Sequence, residues 1–395
     1  MVLIGLVGKT NVGKSTFFKA ATMTDVEISN RIFTTIKPNE GIGYVTSPCP
    51  CREIEKPCNP NNSKCINGTR FIPIKLLDVA GLIPGAHEGK GLGNQFLDDL
   101  REAPVLIHVL DVSGTTDSEG NPSKNHNPIE DIEFFENEVN LWYAKIFQRE
   151  WNRMAKESEI TKSDFEKQIM NRFSGLGIKK EDIHKAIEMS GVDPTSPTKW
   201  IDEDIFEFAK NLRKISKPII IAANKMDLPE AEKNLKIVKE KFPEKIIIPC
   251  SADYELALRT ASEKGLISYM PGSDDFEVLK SLTKDQEDAL ETIRKFLKRF
   301  GSTGIQECLN KAVFDVMNYI VVYPVEDETH WSDKKGRVLP DAHLVPKGTT
   351  ARELAYRIHS EIGERFIGAI DARTKRKVGA DHELKDRDVI KILTR

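Results

Sequence analysis

The segment Gly8-Lys-Thr-Asn-Val-Gly-Lys-Ser15 is the feature that most limits what this chain can fold into. It fits the pattern G-x-x-x-x-G-K-[ST] in full, follows the strand-sized apolar run Val2–Val7 and precedes a helical stretch starting near Lys14. The glycines let backbone N–H groups turn inward around phosphate oxygens, and the following helix adds the positive end of its dipole. A chance glycine-rich turn would lack this context. The segment therefore predicts a phosphate-binding loop, which we call the P-loop, in an α/β domain.

Each residue type in the P-loop predicts a contact with a nucleotide. Lys14 is expected to reach the β- and γ-phosphates and to act in catalysis, and the Ser15 hydroxyl is expected to ligate Mg²⁺. The remaining residues expected to contact the nucleotide in this loop are Gly8, Asn11, Val12, Gly13 and Thr16.

Further apolar runs recur along the chain with helical stretches between them. This alternation is typical of a parallel sheet covered by helices on both faces, and such sheets bind ligands at the carboxyl ends of their strands. The fold class predicted is therefore α/β, a P-loop nucleotide-binding domain. The predicted strands are Phe71–Leu77, Val105–Leu110, Pro218–Ala223 and Lys245–Pro249.

Two polar motifs follow predicted strands and fit the chemistry of a bound guanine nucleotide. In Asp78-Val-Ala-Gly81 the carboxylate suits a water-mediated Mg²⁺ contact, and the Gly81 N–H suits the γ-phosphate, although D-x-x-G alone is usually a turn. In Asn224-Lys225-Met226-Asp227 the Asp227 carboxylate can accept hydrogen bonds from the ring N–H and the exocyclic amine of guanine, a donor pair that adenine lacks.

The other residues of this region have expected roles as well. Asn224 is expected to tie its loop to the P-loop and the Lys225 stem to cover the base, whereas a polar loop capping a helix is the alternative interpretation. Ser251 and Ala252 follow the next strand, where backbone N–H groups commonly meet the guanine carbonyl. The strength of the prediction comes from the combination of motifs, in order and each at a strand end.

The chain is too long for one compact core. Changes in charge and in the spacing of apolar residues along the sequence predict three parts. Residues 128–204 are charged, with apolar residues at helical spacing, and we interpret them as a helical insertion. Residues 1–127 and 205–318 then form the nucleotide domain, and residues 319–395 a compact α+β unit.

These motifs together resemble the Obg family of translation-factor-class GTPases, near the YchF and DRG branch. The C-terminal stretches Val345–Ala355 and Leu384–Ile390 resemble a TGS domain, a ubiquitin-like β-grasp module. The resemblance implies GTP and GDP as ligands, and it implies that Thr35 ligates Mg²⁺ through its hydroxyl and senses the γ-phosphate. The matching stretches of the nucleotide domain are Gly8–Ser15, Phe33–Asn39, Asp78–Leu97 and Asn224–Asp227.

Three features of the sequence refine what the resemblance implies. The YchF branch has a changed base-recognition motif that loosens the preference for guanine toward ATP, but this chain keeps Asn224 and Asp227, which favours GTP. Leu82 stands in place of the usual water-positioning Gln, so we expect slow intrinsic hydrolysis, on the order of 10⁻⁴–10⁻² s⁻¹. An asparagine at the position of Asn11 is associated in related GTPases with a K⁺ ion, and the alternative is that Asn11 caps the loop.

Four cysteines fall within a short polar stretch between Asp78 and the loop around Thr35, which the resemblance identifies as switch I. They suit a tetrahedral Zn²⁺ site, but their spacing is not that of a standard zinc knuckle, and disulfides or free thiols are the competing interpretations. The residues are Cys49, Cys51, Cys58 and Cys65.

The charge and hydropathy of the chain limit the cellular compartment and the kinds of partner that we expect. The formal net charge of −3 gives no polyanion-binding signature for the whole molecule, and no run is long and apolar enough for a membrane helix. We expect a cytoplasmic protein without a signal peptide and without a membrane partner. The TGS resemblance favours ribosome or RNA contact through that module or the helical insertion. A ribosome- or RNA-binding module with incidental turnover, and an ATPase of the YchF type, remain the alternative functions.

Overall fold

The computed structural model describes residues 1–22, 39–79, 101–161 and 164–395. These residues divide into two compact units, each assembled from separate parts of the chain. The first unit contains Met1–Val2, Ala21–Lys75 and Leu309–Arg395. The second contains Leu3–Ala20 and Leu76–Cys308. The P-loop and the base-recognition motif both belong to the second unit.

A parallel sheet forms the centre of the second unit. Its strands β1 (Leu3–Val7), β5 (Val105–Asp111), β6 (Ile219–Asn224) and β7 (Ile247–Pro249) pair in that order. All seven residues of β5 are buried, as expected for a strand covered on both faces. The last residues of β4 (Thr69–Asp78) lie beside β1, where Val79 donates a backbone hydrogen bond to Leu6. The predicted parallel sheet is confirmed.

Helices follow the strands, as a parallel sheet requires. Helix α1 (Lys14–Thr22) follows β1, helix α6 (Ala231–Lys241) follows β6 and helix α7 (Ala252–Glu263) follows β7. One core cluster combines the apolar faces of β5 and β6 with those of α6 and the neighbouring helices. This packing holds the carboxyl ends of the strands, and the loops that leave them, in fixed positions.

The long helix α2 (Pro128–Thr161) begins the helical region between β5 and β6. It is 34 residues long, has proline in its first turn together with Glu130 and Asp131, and buries an aromatic stripe. Helices α3 (Phe165–Arg172), α4 (Lys180–Ser190) and α5 (Asp202–Ser216) pack around it. Their core is rich in aromatic rings, for example Trp151 stacked on Trp200 with ring centroids 4.8 Å apart.

The second unit closes with a small hairpin and a further helix. Strands β8 (Ile267–Ser268) and β9 (Glu277–Val278) are antiparallel, and helix α8 (Lys284–Phe300) follows. This helix begins at Lys284 because Thr283 and Gln286 form a capping box. Helix α9 (Ile305–Asn310) leads into a π-helical turn over Lys311–Val316.

The first unit includes the strands β2 (Glu40–Pro48) and β3 (Lys64–Ile66) and most of β4. Strand β4 pairs with β2 and, in antiparallel orientation, with β3. The loop between β2 and β3 contains a short 3₁₀ turn at Pro50–Arg52 and otherwise little regular structure.

The C-terminal part of the first unit is a five-stranded sheet with two short helices. The elements are β10 (Tyr319–Val325), β11 (His343–Pro346), α10 (Ala351–Ile358), α11 (Ser360–Glu364), β12 (Phe366–Asp371), β13 (Arg376–Val378) and β14 (Val389–Thr394). The strand order is β11-β10-β14-β12-β13, with β10 and β14 parallel and the other pairs antiparallel. Helices α10 and α11 pack on this sheet, and the chain kinks between them at His359, which has an extended backbone.

The unit boundaries differ from the domain boundaries predicted from the sequence. The first unit includes Ala21–Lys75 in addition to the C-terminal module, and the helical region continues in α5 to Ser216. The sequence boundaries after residues 127, 204 and 318 remain a proposal. Among the described residues, no helix combines the length and the apolar character needed to cross a bilayer.

Candidate nucleotide-binding site

Two glycines of the P-loop occupy positions that no other residue fits. Gly8 has φ +151° and Gly13 has φ +89°. A Cβ atom on Gly8 would lie 2.6 Å from the carbonyl oxygen of Val109, and one on Gly13 would lie 2.4 Å from Nδ2 of Asn224. The loop therefore packs directly on its neighbours through bare backbone, the geometry that leaves N–H groups free to face a phosphate.

The lysine predicted to bind phosphate and the carboxylate predicted to help hold magnesium lie side by side. Lys14 Nζ forms an ion pair with Asp78 Oδ1, and both side chains are largely buried. Ser15 is exposed in the first turn of α1, and Thr16 is half-buried beside it. Hard oxygen donors suited to Mg²⁺ thus come from the P-loop and from the end of β4, near the same ammonium group.

Asn224 joins the P-loop to the loop that carries Ser251 and Ala252. Its Nδ2 donates to the carbonyl oxygen of Val12 at 2.9 Å, and its Oδ1 accepts from the backbone N–H of Ala252 at 2.9 Å. The side chain is 2% exposed, so both hydrogen bonds are shielded from water. One buried amide therefore fixes the spacing of three loops at the carboxyl edge of the sheet.

Asp227 and Ser251, two of the residues predicted to contact the base, are in contact with each other. Ser251 Oγ donates to Asp227 Oδ1 at 2.7 Å and accepts from the backbone N–H of Tyr254, capping α7. Asp227 is half-buried, with Oδ1 engaged by Ser251. A carboxylate oriented in this way can accept further hydrogen bonds from a guanine edge.

Lys225 has a partner that sequence reasoning missed. Its Nζ lies 2.9 Å from Oδ2 of Asp111, the last residue of β5, and 3.2 Å from Oγ1 of Thr115. Burial would raise the pKa of Asp111, but hydrogen bonds from Ser113, Lys225 and Thr116 lower it below its ordinary value. The carboxylate directly after the predicted strand Val105–Leu110 was the available indication, since the motif that begins at Asp78 follows its strand in the same way.

A second missed feature is the loop after β5, which contacts the first half of the P-loop. Lys9 is 7% exposed and forms an ion pair with Asp131 at 2.6 Å. Thr10 Oγ1 donates to the carbonyl oxygen of Glu119 at 3.0 Å, and Asn11 Nδ2 donates to that of Gly120 at 2.9 Å. Asn11 has φ +62°, in the left-handed region that asparagine adopts more readily than most residues, and this hydrogen bond fixes its side chain.

Other residues singled out in the sequence lie elsewhere or outside the described residues. Thr35, Gly81 and Leu82 fall outside the described ranges, so their expected switch roles stay predictions. The four cysteines come together in the first unit, with all Sγ atoms within 4.8 Å of one another.

Two residues of the basic run Arg373–Lys377 form contacts with other residues of the first unit. Arg373 pairs with Glu53 at 2.7 Å and lies over the Trp331 ring, while Lys375 Nζ donates to the Glu328 carbonyl oxygen. These contacts reduce the number of cations in the run that are available to a polyanion.

Three family models match the chain. The model described as Obg-like GTPase YGR210-like, G4 motif-containing domain matches residues 222–327, and the model described as 50S ribosome-binding GTPase matches residues 3–142. The model of the TGS domain matches residues 335–394. The matches cover the base-recognition motif, the P-loop and the C-terminal sheet respectively, and the predicted fold class is confirmed.

Relatives match over most or all of the chain. A GTP-binding protein of Methanocaldococcus jannaschii, described as uncharacterized, is 53% identical over 396 residues, covering 100% of this chain and 99% of its own length. The crystal structure of a GTP binding protein from Pyrococcus horikoshii is 39% identical with a TM-score of 0.79, and 100% of both chains is covered. A Mycoplasma genitalium protein named ribosome-binding ATPase YchF is 32% identical over 278 residues, covering 65% of this chain and 67% of its own.

Proposed function

The chain belongs to the Obg-like family of P-loop GTPases, and from that premise we propose that it binds GTP with Mg²⁺ and hydrolyses it slowly to GDP and phosphate as a molecular switch. The observation that carries the proposal is a pair of hydrogen bonds made by the Asn224 side chain. They join the P-loop at Val12 to the loop that carries Ser251 and Ala252. A ligand that spans the two loops must carry phosphates at one end and a base at the other.

The residues around Lys14 suit the γ-phosphate end of that ligand. We propose that Lys14 binds the β- and γ-phosphates and that Ser15 and Asp78 hold the metal, Asp78 through water. A Mg²⁺ ion held by these residues would supply positive charge that offsets the charge of the β- and γ-phosphates. Thr35 and the N–H of Gly81 complete the proposed γ-phosphate contacts, so loss of that phosphate would release both switch loops.

Asp227 supports guanine over adenine. Its Oδ1 already accepts a hydrogen bond from Ser251, which orients the carboxylate towards a donor pair of the kind that guanine presents. Adenine would leave this partly buried carboxylate unsatisfied, a difference of about 1–3 kcal/mol. We therefore propose GTP as the substrate even though a relative is named an ATPase.

Competition between GTP and ATP tests the proposal. Displacement of a fluorescent GDP analogue from the full-length protein should require about 5- to 150-fold less GTP than ATP, and Asp227→Ala should remove most of that preference. Asp253→Ala is the matched control, because it removes a neighbouring carboxylate outside the N-K-x-D motif. Equal displacement by both nucleotides in the unmodified protein would refute guanine selection.

We propose K⁺ as a stimulator of hydrolysis through Asn11. Leu82 cannot orient water, so the reaction needs another source of charge stabilisation. Asn11 Nδ2 is engaged by Gly120, which supports a loop-capping role and leaves the amide oxygen as the atom that would bind a cation. Equal GTP turnover in K⁺ and in Na⁺ at fixed Mg²⁺ would leave Asn11 with the capping role alone.

We propose the ribosome as the partner, contacted through the TGS module or the helical region. The names of one family model and one relative support this, since both refer to ribosome binding. Cosedimentation with large ribosomal subunits should be stronger with a non-hydrolysable GTP analogue than with GDP. Equal cosedimentation would favour the other candidate function, a binding module in which turnover is incidental.

A further inference from the structure

The four sulfur atoms of the cysteine cluster lie close together in the first unit. The cluster consists of Cys49, Cys51, Cys58 and Cys65, whose Sγ atoms all lie within 4.8 Å of one another. The Cys49–Cys58 and Cys51–Cys65 sulfur distances are 3.9 and 3.8 Å. A zinc–sulfur bond of about 2.3 Å gives a tetrahedron whose edges are about 3.8 Å. We propose that this cluster binds one structural Zn²⁺ ion, a site separate from the nucleotide chemistry.

The same distances argue against disulfides. Bonded sulfur atoms lie about 2.05 Å apart, and all four cysteines of the cluster are free thiols here. A pair of disulfides would draw the sulfurs together two by two, whereas here each sulfur lies near all three others. Closed, four-thiolate surroundings are those of a structural zinc ion.

Arg70 provides an independent indication of negative charge at the cluster. Its side chain is fully buried; Nη1 points to Cys58 Sγ at 3.7 Å and Nη2 donates to the Leu339 carbonyl oxygen. No carboxylate in the described part of the chain pairs with this guanidinium, which lies over the Tyr323 ring. A buried cation without a counter-charge is strongly destabilising. Four thiolates around Zn²⁺ carry a net charge of −2, which supplies the missing anion next to Arg70.

The surrounding loop explains why an ion would be needed. Between β2 and β3 the chain is rich in proline, asparagine and charged residues and has few apolar side chains to bury. Such a loop cannot order itself by hydrophobic packing. It nevertheless makes defined contacts, since Asn59 and Asn61 donate backbone hydrogen bonds to the carbonyl oxygens of Val338 and Pro340. Zinc would therefore order the loop that contacts the segment before β11.

Metal analysis of the full-length protein tests the proposal. Protein purified without a histidine tag and under reducing conditions should contain about one zinc per chain, and reconstitution with Co²⁺ should give the intense visible absorption of a tetrahedral thiolate site. Cys58→Ser should reduce the zinc content at least about fivefold. Cys308→Ala is the matched control, because Cys308 is a buried cysteine outside the cluster and should leave the zinc content unchanged.

The outcomes separate this site from the nucleotide site. GDP binding by Cys58→Ser, measured in parallel, shows whether the second unit is still folded, so loss of zinc with GDP binding retained supports the proposal. Three results would overturn it: reduced protein that neither contains nor takes up zinc, a cluster found as two disulfides, or iron in place of zinc. None of these three results would affect the proposal that the P-loop binds GTP.

Discussion

Lys225 combines an unfavourable backbone conformation with a fixed side chain. Its φ is +64°, in the left-handed region that costs a residue with a Cβ about 1 kcal/mol. The ion pair with Asp111 and the hydrogen bond to Thr115 hold the side chain in place. Backbone strain is thus concentrated in the loop expected to cover the base, where stored strain commonly marks a functional position.

His108 should make the second unit sensitive to acid. It is buried in β5, stacks on Phe135 with ring centroids 4.5 Å apart, and its Nδ1 has no hydrogen-bond partner. Burial, helped by the charges of Lys9 and Lys245, lowers its pKa to about 3. Below about pH 6.5 His108 is protonated in the unfolded state but stays neutral in the folded state. The free energy of unfolding therefore falls as the pH drops from about 6.5 towards 3.

The variant His108→Leu should remove this part of the pH dependence. Between pH 7 and pH 5 the loss of unfolding free energy should be about 2 kcal/mol smaller in the variant than in the unmodified protein, measured by urea denaturation. His184→Leu is the control with the opposite sign, because hydrogen bonding to Glu166 raises the pKa of the exposed His184. The same pH dependence in His108→Leu as in the unmodified protein would contradict the prediction.

At the scale of elements, the loop between β2 and β3 contacts the segment before β11 through asparagine side chains. Asn62 Nδ2 donates to the carbonyl oxygen of Ala342 at 3.0 Å, and its Oδ1 accepts from the backbone N–H of the same residue at 2.9 Å. Ala342 is buried, so both of its backbone groups depend on this one side chain. Asn61 makes longer contacts at the surface.

Asn62→Ala should therefore destabilise the first unit by about 1–3 kcal/mol, since two buried backbone groups lose their partner. Asn61→Ala removes the neighbouring, exposed amide and should cost less than about 0.5 kcal/mol. Hydrogen exchange of the Ala342 amide, followed in both variants, measures the local effect directly. Equal protection of that amide in both variants would show that the Asn62 hydrogen bonds contribute little.

Elements with strong local patterns could be predicted, and those that depend on distant partners could not. Strand β5 begins at Val105 as predicted, because a run of β-branched and other apolar residues specifies a buried strand locally. Strand β2 carries two glycines and ends in proline, and β13 lies in a basic run, so both are strands only because a partner strand pairs with them. The Lys225–Asp111 contact joins residues 114 positions apart, a separation that no local pattern reveals.

At the scale of the whole molecule, the division into units was the part least accessible from the sequence. Composition changes after Asn318, which predicts a separate C-terminal module, and a TGS model does match residues 335–394. The first unit nevertheless includes Ala21–Lys75 with that module. Contacts such as Arg70 with the Leu339 carbonyl oxygen join these two parts of the chain, and hydrogen bonds of that kind leave no trace in composition.

A chain truncated after Asn318 should consequently be less stable than the full-length protein. Removing residues 319–395 would strip Arg70 and the asparagines of the β2–β3 loop of their partners and expose buried apolar side chains of the first unit. We expect a thermal midpoint lower by at least about 5 °C and increased binding of a hydrophobic dye. A truncated protein that is monomeric and as stable as the full chain would show that residues 21–75 do not need the C-terminal module.

The first unit combines an early and a late part of the chain, and this has a consequence for the order of events during synthesis. Residues 21–75 leave the ribosome early, whereas their packing partners in 309–395 are translated last. Until then Arg70 and the apolar side chains that are buried in the complete first unit stay exposed on the nascent chain. Exposed apolar surface of this kind promotes misassembly. An ion captured by Cys49–Cys65 at this stage would keep the early segment in shape while the remainder of the polypeptide is made.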